Sequence, residues 1–261
     1  MDQREHNNNM KILFAALALT LLVGCSKPAP VAPGVVKLET PDFHVNPATA
    51  ADVHGVVLFK GPRAAAKSID MSEDPACVKA HKGRAMDESM LVGKGGALEN
   101  AFVYVESGLE GLHFAVPAEP AQIDQTGCWF RPRMVGVQVG QQLRVINSDP
   151  VTHNIHPMAQ MNREWNHSMG PGDPPILRRF VKSEVMIPVK CNIHSWMDAY
   201  IGVLDHPYFA VTKADGSFDL PNLPPGTYTI TAWHEKLGTQ HTTVTVAASG
   251  KVAADFAFPA K

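Results

Sequence analysis

Two short segments that lie far apart in the sequence carry side chains that can act together only if the fold brings the segments close. Residues 152–156 read Thr-His-Asn-Ile-His, and residues 191–197 read Cys-Asn-Ile-His-Ser-Trp-Met. Together they supply imidazoles, a thiolate and a thioether. Two imidazoles and a thiolate in one plane, with a weak thioether above it, suit copper that cycles between two oxidation states. The leading hypothesis is therefore a copper site that transfers electrons.

Around these segments the sequence alternates β-rich runs with turn signals. Runs of Val, Ile, Phe, Tyr and Thr, closed by Gly, Pro, Asn or Asp, predict strands. They occupy residues 53–59, 100–105, 176–181, 184–190 and 199–204, two halves of 135–146, and further runs that begin at residues 209, 217, 227 and 242. Residues 72–96 and 158–175 read as loops, with room for one short helix in the first. Turn signals about eight to twelve residues apart are typical of a β-sandwich, so we expect an all-β protein.

The composition limits the size of the core and the class of protein. With 261 residues, 45% of them hydrophobic and 18% charged, the chain can bury one large core or two modest ones. The formal net charge of -2 comes with no basic stripe of interleaved aromatic residues, which excludes a nucleic-acid partner. No Ser/His/Asp set and no pair of carboxylates stands at a meaningful spacing, so we expect no enzymatic activity.

The N-terminal region is typical of an exported protein. Met10-Lys11 precede an uncharged run over residues 12–23 that is short for a bilayer span and matches the core of a signal peptide. The run ends in Leu-Val-Gly-Cys25, which resembles the lipobox of bacterial lipoproteins. This resemblance implies cleavage after residue 24, a lipid on Cys25 and a periplasm-facing protein of the cell envelope, and Ser26 favours the outer membrane. The alternative is an uncleaved anchor.

The remaining cysteines constrain the fold because export places them in an oxidising compartment. With Cys25 lipidated, Cys77, Cys128 and Cys191 remain. An odd number outside the cytosol leaves one thiol reactive, intermolecular or bound to metal. If Cys191 holds metal, Cys77 and Cys128 are left to form a disulfide. The alternative is a second metal site made of Cys77, His81 and Cys128.

The segment before the first imidazoles extends the copper pattern. Residues 139–147 read Val-Gly-Gln-Gln-Leu-Arg-Val-Ile-Asn, and the Thr-His-Asn-Ile-His and Cys-x2-His-x2-Met motifs follow. Over about residues 133–204 this pattern resembles the amicyanin-like members of the cupredoxin family. These are Greek-key β-sandwich electron carriers, so the resemblance implies that fold and one mononuclear type 1 copper site.

The same resemblance implies roles for individual residues. His153, Cys191 and His194 would be the strong copper ligands, and Met197 the weak axial ligand. Asn154, beside the first ligand, would hydrogen-bond across to the cysteine loop and steady the thiolate. Four protein donors leave no open position for a substrate, which again favours an electron carrier.

A second resemblance covers the C-terminal segment. Residues 216–230 read Gly-Ser-Phe-Asp-Leu-Pro-Asn-Leu-Pro-Pro-Gly-Thr-Tyr-Thr-Ile and resemble the carboxypeptidase regulatory-like domain, a transthyretin-like β-sandwich without peptidase chemistry. The runs at 55–62 and 101–105 resemble its first strands. In the alternative, these early strands complete the cupredoxin sheet. The expected order is a signal peptide over 1–24, a disordered tether rich in Pro, Ala and Val over 25–51, first strands of the regulatory-like sandwich over 52–111, a cupredoxin domain over 112–205 and the rest of the regulatory-like sandwich over 206–261.

These patterns leave three functions open. The first is a lipid-anchored copper electron carrier whose redox partner is a dehydrogenase, a cytochrome or an oxidase, and which meets the membrane through its lipid. The second is a copper-binding or delivery lipoprotein with labile ligands at Met158, Met161, His167 and Met169. The third is a metal-free binding module of the envelope, built on the regulatory-like sandwich. A reversible redox couple distinguishes the first function from the second.

Overall fold

The computed structural model describes residues 42–63 and 65–260. The predicted signal peptide, Cys25 and most of the predicted tether lie outside the described residues. Within them, no helix is long and apolar enough to cross a membrane. Helical structure in the described part is limited to α1 (Pro75–Ala80) and a 3-10 turn at Lys94–Gly96. The prediction of an all-β protein is therefore confirmed.

Within the described residues the strands form four sheets that pack as two β-sandwiches. In chain order they are β1 (Ala51–Phe59), β2 (Phe102–Ser107), β3 (Ala121–Gln125), β4 (Phe130–Arg131), β5 (Met134–Gln138), β6 (Gln142–Asn147), β7 (His153–Pro157), β8 (His167–Met169), β9 (Ile176–Arg179), β10 (Glu184–Lys190), β11 (Asp198–Leu204), β12 (Phe209–Val211), β13 (Ser217–Leu223), β14 (Gly226–His234), β15 (Gly238–Val246), β16 (Lys251–Ala253) and β17 (Phe256–Phe258). Strands β3 to β11 make the central sandwich. Strands β1, β2 and β12 to β17 make the terminal sandwich.

The central sandwich has one sheet in the order β4-β3-β6-β9 and another in the order β5-β11-β10-β7-β8. Successive side chains of a strand point to opposite faces, and in β6 this alternation buries Leu143 and Val145 completely. They meet Ile155 and Val189 of the other sheet in one hydrophobic core. The adjacent strands β7 and β10 of that second sheet place the two motifs predicted to bind a metal side by side.

The terminal sandwich joins strands from both ends of the described chain. Its sheets have the orders β13-β1-β16, with β17 also paired to β1, and β12-β2-β14-β15. Val53 of β1 lies opposite Leu220 of β13, and Val103 of β2 lies opposite Ala232 of β14. In the structure the early strands therefore pair with the C-terminal strands, and the central sandwich lies between them in sequence.

The two sandwiches pack against each other through aromatic and aliphatic side chains. This cluster consists of Phe102, Tyr104, Met134, Met186 and Leu204, with Tyr200, Phe209, Val211 and Trp233 at its edge. Gly202 of β11 lies directly against the Phe102 ring, because a Cβ at this position would be 2.5 Å from a ring carbon. A residue without a side chain thus allows the ring of the terminal sandwich to approach the backbone of the central one.

Some details differ from the expectation. Residues 158–175, expected to be loop, contain β8, in which Met169 lies opposite His153 of β7. A strand of three residues is too short to show a period in the sequence. The mixed polar sequence of β3 gave no strand signal either. The two runs within residues 135–146 form β5 and β6 as predicted, but these strands lie in different sheets.

Candidate metal centre

The Cys191 segment folds into a closed loop between neighbouring strands. It follows β10 and leads directly into β11. The backbone N–H of Cys191 donates to the carbonyl of Met197 (3.1 Å), and the N–H of Met197 donates to the carbonyl of His194 (3.0 Å). The loop therefore fixes three of the predicted ligands with few residues.

His153 reaches the same point from the adjacent strand. It is the first residue of β7, which runs antiparallel to β10. The Nδ1 atoms of His153 and His194 are 3.0 Å apart, and Sγ of Cys191 lies 3.8 Å from Nδ1 of His194. The donor atoms of His153, Cys191 and His194 all lie within 4.8 Å of one another. The structure thus brings together the three residues predicted as strong ligands.

This cluster is buried, and its donor chemistry fits copper. The exposed fractions of His153, His194 and Cys191 are 0%, 3% and 4%. A thiol sulfur and two imidazole nitrogens that face a common point are the donors of the trigonal copper sites used in electron transfer. Met197, predicted as the axial ligand, is completely buried in the same core as Cys191.

Asn154 ties the two ligand segments together. Its Oδ1 accepts the backbone N–H of Asn192 (2.6 Å) and lies 3.4 Å from Sγ of Cys191. Its Nδ2 donates to Oδ1 of Asn166 (2.7 Å). Both ends of the amide are thus fixed, and the side chain reaches from β7 to the cysteine loop in the way that the family resemblance implies.

Electrostatics favour the thiolate form of Cys191. Burial raises the pKa of this thiol, but hydrogen bonds from His153 and from neighbouring backbone N–H groups outweigh burial and bring the pKa to about 6. Burial lowers the pKa of His153, whereas Asp149 and the Cys191 sulfur raise it, and the net change is a rise. Since the thiolate is the form of cysteine that binds metals, the site is prepared for a cation at neutral pH.

Two carboxylates that the sequence analysis missed hold the outer nitrogens of the imidazoles. Oδ2 of Asp149 is 2.9 Å from Nε2 of His153, and Oδ2 of Asp74 is 2.9 Å from Nε2 of His194. The hydrogen bond to His194 lowers the pKa of Asp74. Asp74 precedes Pro75, a pattern that starts helices, but nothing in that pattern specifies an imidazole partner.

Cys77 and Cys128 form a disulfide beside the cluster. Cys191 is the free cysteine among the described residues, and Sγ of Cys77 lies 3.6 Å from Nε2 of His194. The alternative of a second metal site with His81 is wrong, because both sulfurs are in the disulfide. In addition, Nδ1 of His81 accepts a hydrogen bond from the indole N–H of Trp129 (2.9 Å).

Trp196 covers the outer side of His194. The centroids of the two rings are 5.1 Å apart, and the indole N–H of Trp196 donates to the carbonyl of Cys128 (3.2 Å). Trp196 is half-buried and lines, with Ser195 and Trp129, a cleft of about 300 Å³. Its ring therefore lies against a predicted ligand on one side and borders an open cleft.

The four candidate ligands of the labile copper site are dispersed. Met158 is half-buried, and His167 is exposed. Met161 is 59% exposed, whereas Met169 is 1% exposed and packs in the core of the central sandwich. The side chains suggested for a labile copper site therefore do not share one environment.

The terminal sandwich resembles a known domain family. Residues 199–259 match the family model of the carboxypeptidase regulatory-like domain. This segment is similar to that domain. It contains β12 to β17 and most of β11, and the resemblance noted at residues 216–230 covers β13 and the start of β14. No curated protein matches the chain.

Solved structures similar to the chain include two cupredoxins and a copper enzyme. Amicyanin from Paracoccus versutus is 16% identical over 39% of this chain and 96% of its own, with a TM-score of 0.30. A purple cupredoxin from Nitrosopumilus maritimus is 23% identical over 32% of this chain and 98% of its own, with a TM-score of 0.28. A Cu-containing nitrite reductase from Thermus scotoductus SA-01 is 20% identical over 36% of this chain and only 24% of its own, with a TM-score of 0.32. At these TM-scores the likeness carries no argument about what this chain binds.

Proposed function

We propose that this chain is a mononuclear copper protein that carries electrons. The observation that supports this proposal most is the convergence of His153, Cys191 and His194, whose donor atoms lie within 4.8 Å of one another in a buried cluster. A thiolate with two imidazoles is the donor set of the copper sites that transfer electrons. The low pKa of Cys191, about 6, makes the thiolate available at neutral pH.

The residues of the chain would hold the ion, and the ion would supply the one-electron chemistry. His153, Cys191 and His194 would provide the strong bonds and Met197 the weak thioether. The hydrogen bonds that close the cysteine loop, and those of Asn154, keep these donors in place. A donor set held by its own packing and hydrogen bonds need not rearrange when the charge of the ion changes, which would favour electron exchange.

We propose that electrons pass between the site and a redox partner by way of Trp196. His194 is 3% exposed, so it offers little surface to a partner, whereas the Trp196 ring lies 5.1 Å from it and borders an open cleft. The partner would be a dehydrogenase, a cytochrome or an oxidase. Because four protein donors leave no open position on the metal, we propose no catalysis by this chain itself.

We further propose that the protein is lipid-anchored in the cell envelope and faces the periplasm. Leu-Val-Gly-Cys25 supports the anchor, and the Cys77–Cys128 disulfide is consistent with an oxidising compartment. Mass spectrometry of the N-terminal peptide should find a lipid on Cys25, and Cys25→Ser should release the protein from the membrane fraction. An unmodified Cys25 in membrane-bound protein would contradict the anchor.

The copper proposal is tested by adding copper to the purified full chain in detergent. We expect an intense thiolate-to-copper charge-transfer band and a reversible one-electron couple in voltammetry. Cys191→Ser should abolish both, whereas Met161→Ala, at an exposed methionine of the dispersed set, should keep both. Rapid transfer of copper to a chelator without a reversible couple would favour a delivery protein. Protein that binds no stoichiometric copper would favour the metal-free module.

A further inference from the structure

The two imidazoles of the metal centre are each held from outside by a carboxylate. Nε2 of His153 lies 2.9 Å from Asp149, and Nε2 of His194 lies 2.9 Å from Asp74. An ionised carboxylate can only accept hydrogen bonds, so each Nε2 carries a proton. This leaves each Nδ1 as the nitrogen that can offer a lone pair to a metal when the ring is neutral, and these two Nδ1 atoms are the ones that face each other at 3.0 Å.

Both carboxylates are themselves fixed by backbone N–H groups. Oδ1 of Asp74 accepts the N–H groups of Ala76 (2.9 Å) and Cys77 (3.1 Å) at the start of α1, which leaves Oδ2 for His194. Asp149 accepts the N–H groups of Gly127 (2.6 Å) and Cys128 (2.7 Å). Each carboxylate is therefore attached to a turn that contains one half of the disulfide.

The disulfide joins these two turns. Cys77 lies in α1, a helix of 6 residues, which is too short to be stable without tertiary contacts. The bond to Cys128 attaches α1 to the turn that holds Asp149. The sequence separation of the two cysteines is 51 residues, so the bond fixes a segment that local hydrogen bonds alone would not place beside the metal centre.

We propose that Asp74, Asp149 and the Cys77–Cys128 disulfide form one frame that orients both imidazoles toward the metal. The two aspartates are positioning residues, since they touch the ligands and not the ion. The disulfide acts one step further out by placing Asp74 against His194. This inference rests on the proposed copper site. It gives the segment around Asp74 and Cys77, which lies outside the strands of the central sandwich, a part in building that site. Carboxylates that hold ligating imidazoles in this way affect metal affinity by about 10–100-fold.

The first test compares Asp74→Ala, Asp74→Asn and a matched control in the full chain. Asp70→Ala is the control, because Asp70 also caps a nearby turn by accepting the N–H of Ser72 (2.9 Å) but contacts no imidazole in the described structure. For Asp74→Ala we expect copper affinity about 10–100-fold lower and a shifted charge-transfer band. Asp74→Asn should restore part of both, since the amide oxygen can still accept from Nε2. Asp70→Ala should match the parent protein.

The second test needs no metal. NMR correlations between ring protons and ring nitrogens report which nitrogen of each histidine is protonated in the metal-free protein. We expect a proton on Nε2 of both His153 and His194 in the parent protein, and loss of that fixed protonation of His194 in Asp74→Ala. If the parent failed to bind copper but showed both Nε2 protons, the proposed function would fail while the frame stood. A parent in which either Nε2 lacks its proton would overturn the frame.

The third test removes the disulfide with Cys77→Ala and Cys128→Ala together. We expect folded protein, judged by circular dichroism, with copper affinity lowered about as much as in Asp74→Ala. A disulfide that only stabilises the fold would lower the unfolding temperature and leave the affinity and the spectrum unchanged, and that result would overturn its role in the frame. Should the double variant fail to fold, Asp74→Ala, which keeps the disulfide, still tests whether the frame orients His194.

Discussion

The ion pair between Arg133 and Glu235 links the two sandwiches and can be tested quantitatively. Arg133 precedes β5 of the central sandwich, and Glu235 follows β14 of the terminal sandwich. The guanidinium donates to the two carboxylate oxygens at 2.7 and 2.9 Å, and the side chains are only 5% and 3% exposed. Because both charges are buried, removal of one leaves the other without a partner and poorly solvated.

We predict that Glu235→Gln lowers the free energy of unfolding by about 3–5 kcal/mol. Arg133 retains a hydrogen bond to the carbonyl of Asp198 (3.3 Å), so the decrease should lie near the lower end. The matched control is Glu88→Gln, which breaks the ion pair between Glu88 and Arg131. The side chain of Glu88 is 24% exposed and that of Arg131 is 38% exposed. There the decrease should stay below about 1 kcal/mol.

Urea denaturation of the oxidised, metal-free protein, followed by tryptophan fluorescence and circular dichroism, measures both decreases. The double variant Arg133→Met with Glu235→Leu should recover most of the stability that Glu235→Gln removes, because no buried charge remains. Equal decreases in Glu235→Gln and Glu88→Gln, or no recovery in the double variant, would refute the reasoning from burial.

Three further predictions concern the site and the contact between the sandwiches. In the metal-free protein the pKa of Cys191 is lowered from 9.0 to about 6, so the ultraviolet absorbance of its thiolate should appear as the pH rises through about 6, and Cys191→Ser should lack this step; a thiolate that appears only near pH 9 would count against the cluster. Asn154→Ala leaves the N–H of Asn192 without its acceptor at 2.6 Å, and urea denaturation should show that the free energy of unfolding falls by about 1–3 kcal/mol. An unchanged free energy would count against the role of Asn154 in holding the two ligand segments together. Gly202→Ala would place a Cβ 2.5 Å from the Phe102 ring and should cost about 1–3 kcal/mol by overpacking; a thermal unfolding temperature equal to that of the parent would mean that the ring and the backbone are not so close.

The strands were largely predictable because their sequences carry a local period. The runs at 53–59 and 184–190 contain β-branched residues bounded by turn signals, and they appear as β1 and β10. The loop from Cys191 to Met197 was also predictable, since its donors lie within one short segment. In contrast, β8 gains its strand geometry from pairing with β7 rather than from its own three residues.

The outer part of the candidate site could not be read from the sequence. Asp74 and His194 are 120 positions apart, and no periodicity or motif relates a helix cap to an imidazole at that separation. The partner of Asp149 lies four residues away, but a turn aspartate before a proline has an ordinary explanation as a turn residue. Tertiary structure decides which loop carboxylates meet which rings. The lipid anchor at Cys25 stays a prediction of the sequence.

X-ray absorption at the copper edge, on full-length protein loaded with one equivalent of copper, tests the central claim most directly. The proposed ligand set predicts one short copper–sulfur bond and two imidazole nitrogens, and Cys191→Ser should show no short copper–sulfur bond. A first shell of nitrogen and oxygen alone, or a shell that is the same in Cys191→Ser, would contradict the assignment of His153, Cys191 and His194 to a single copper ion.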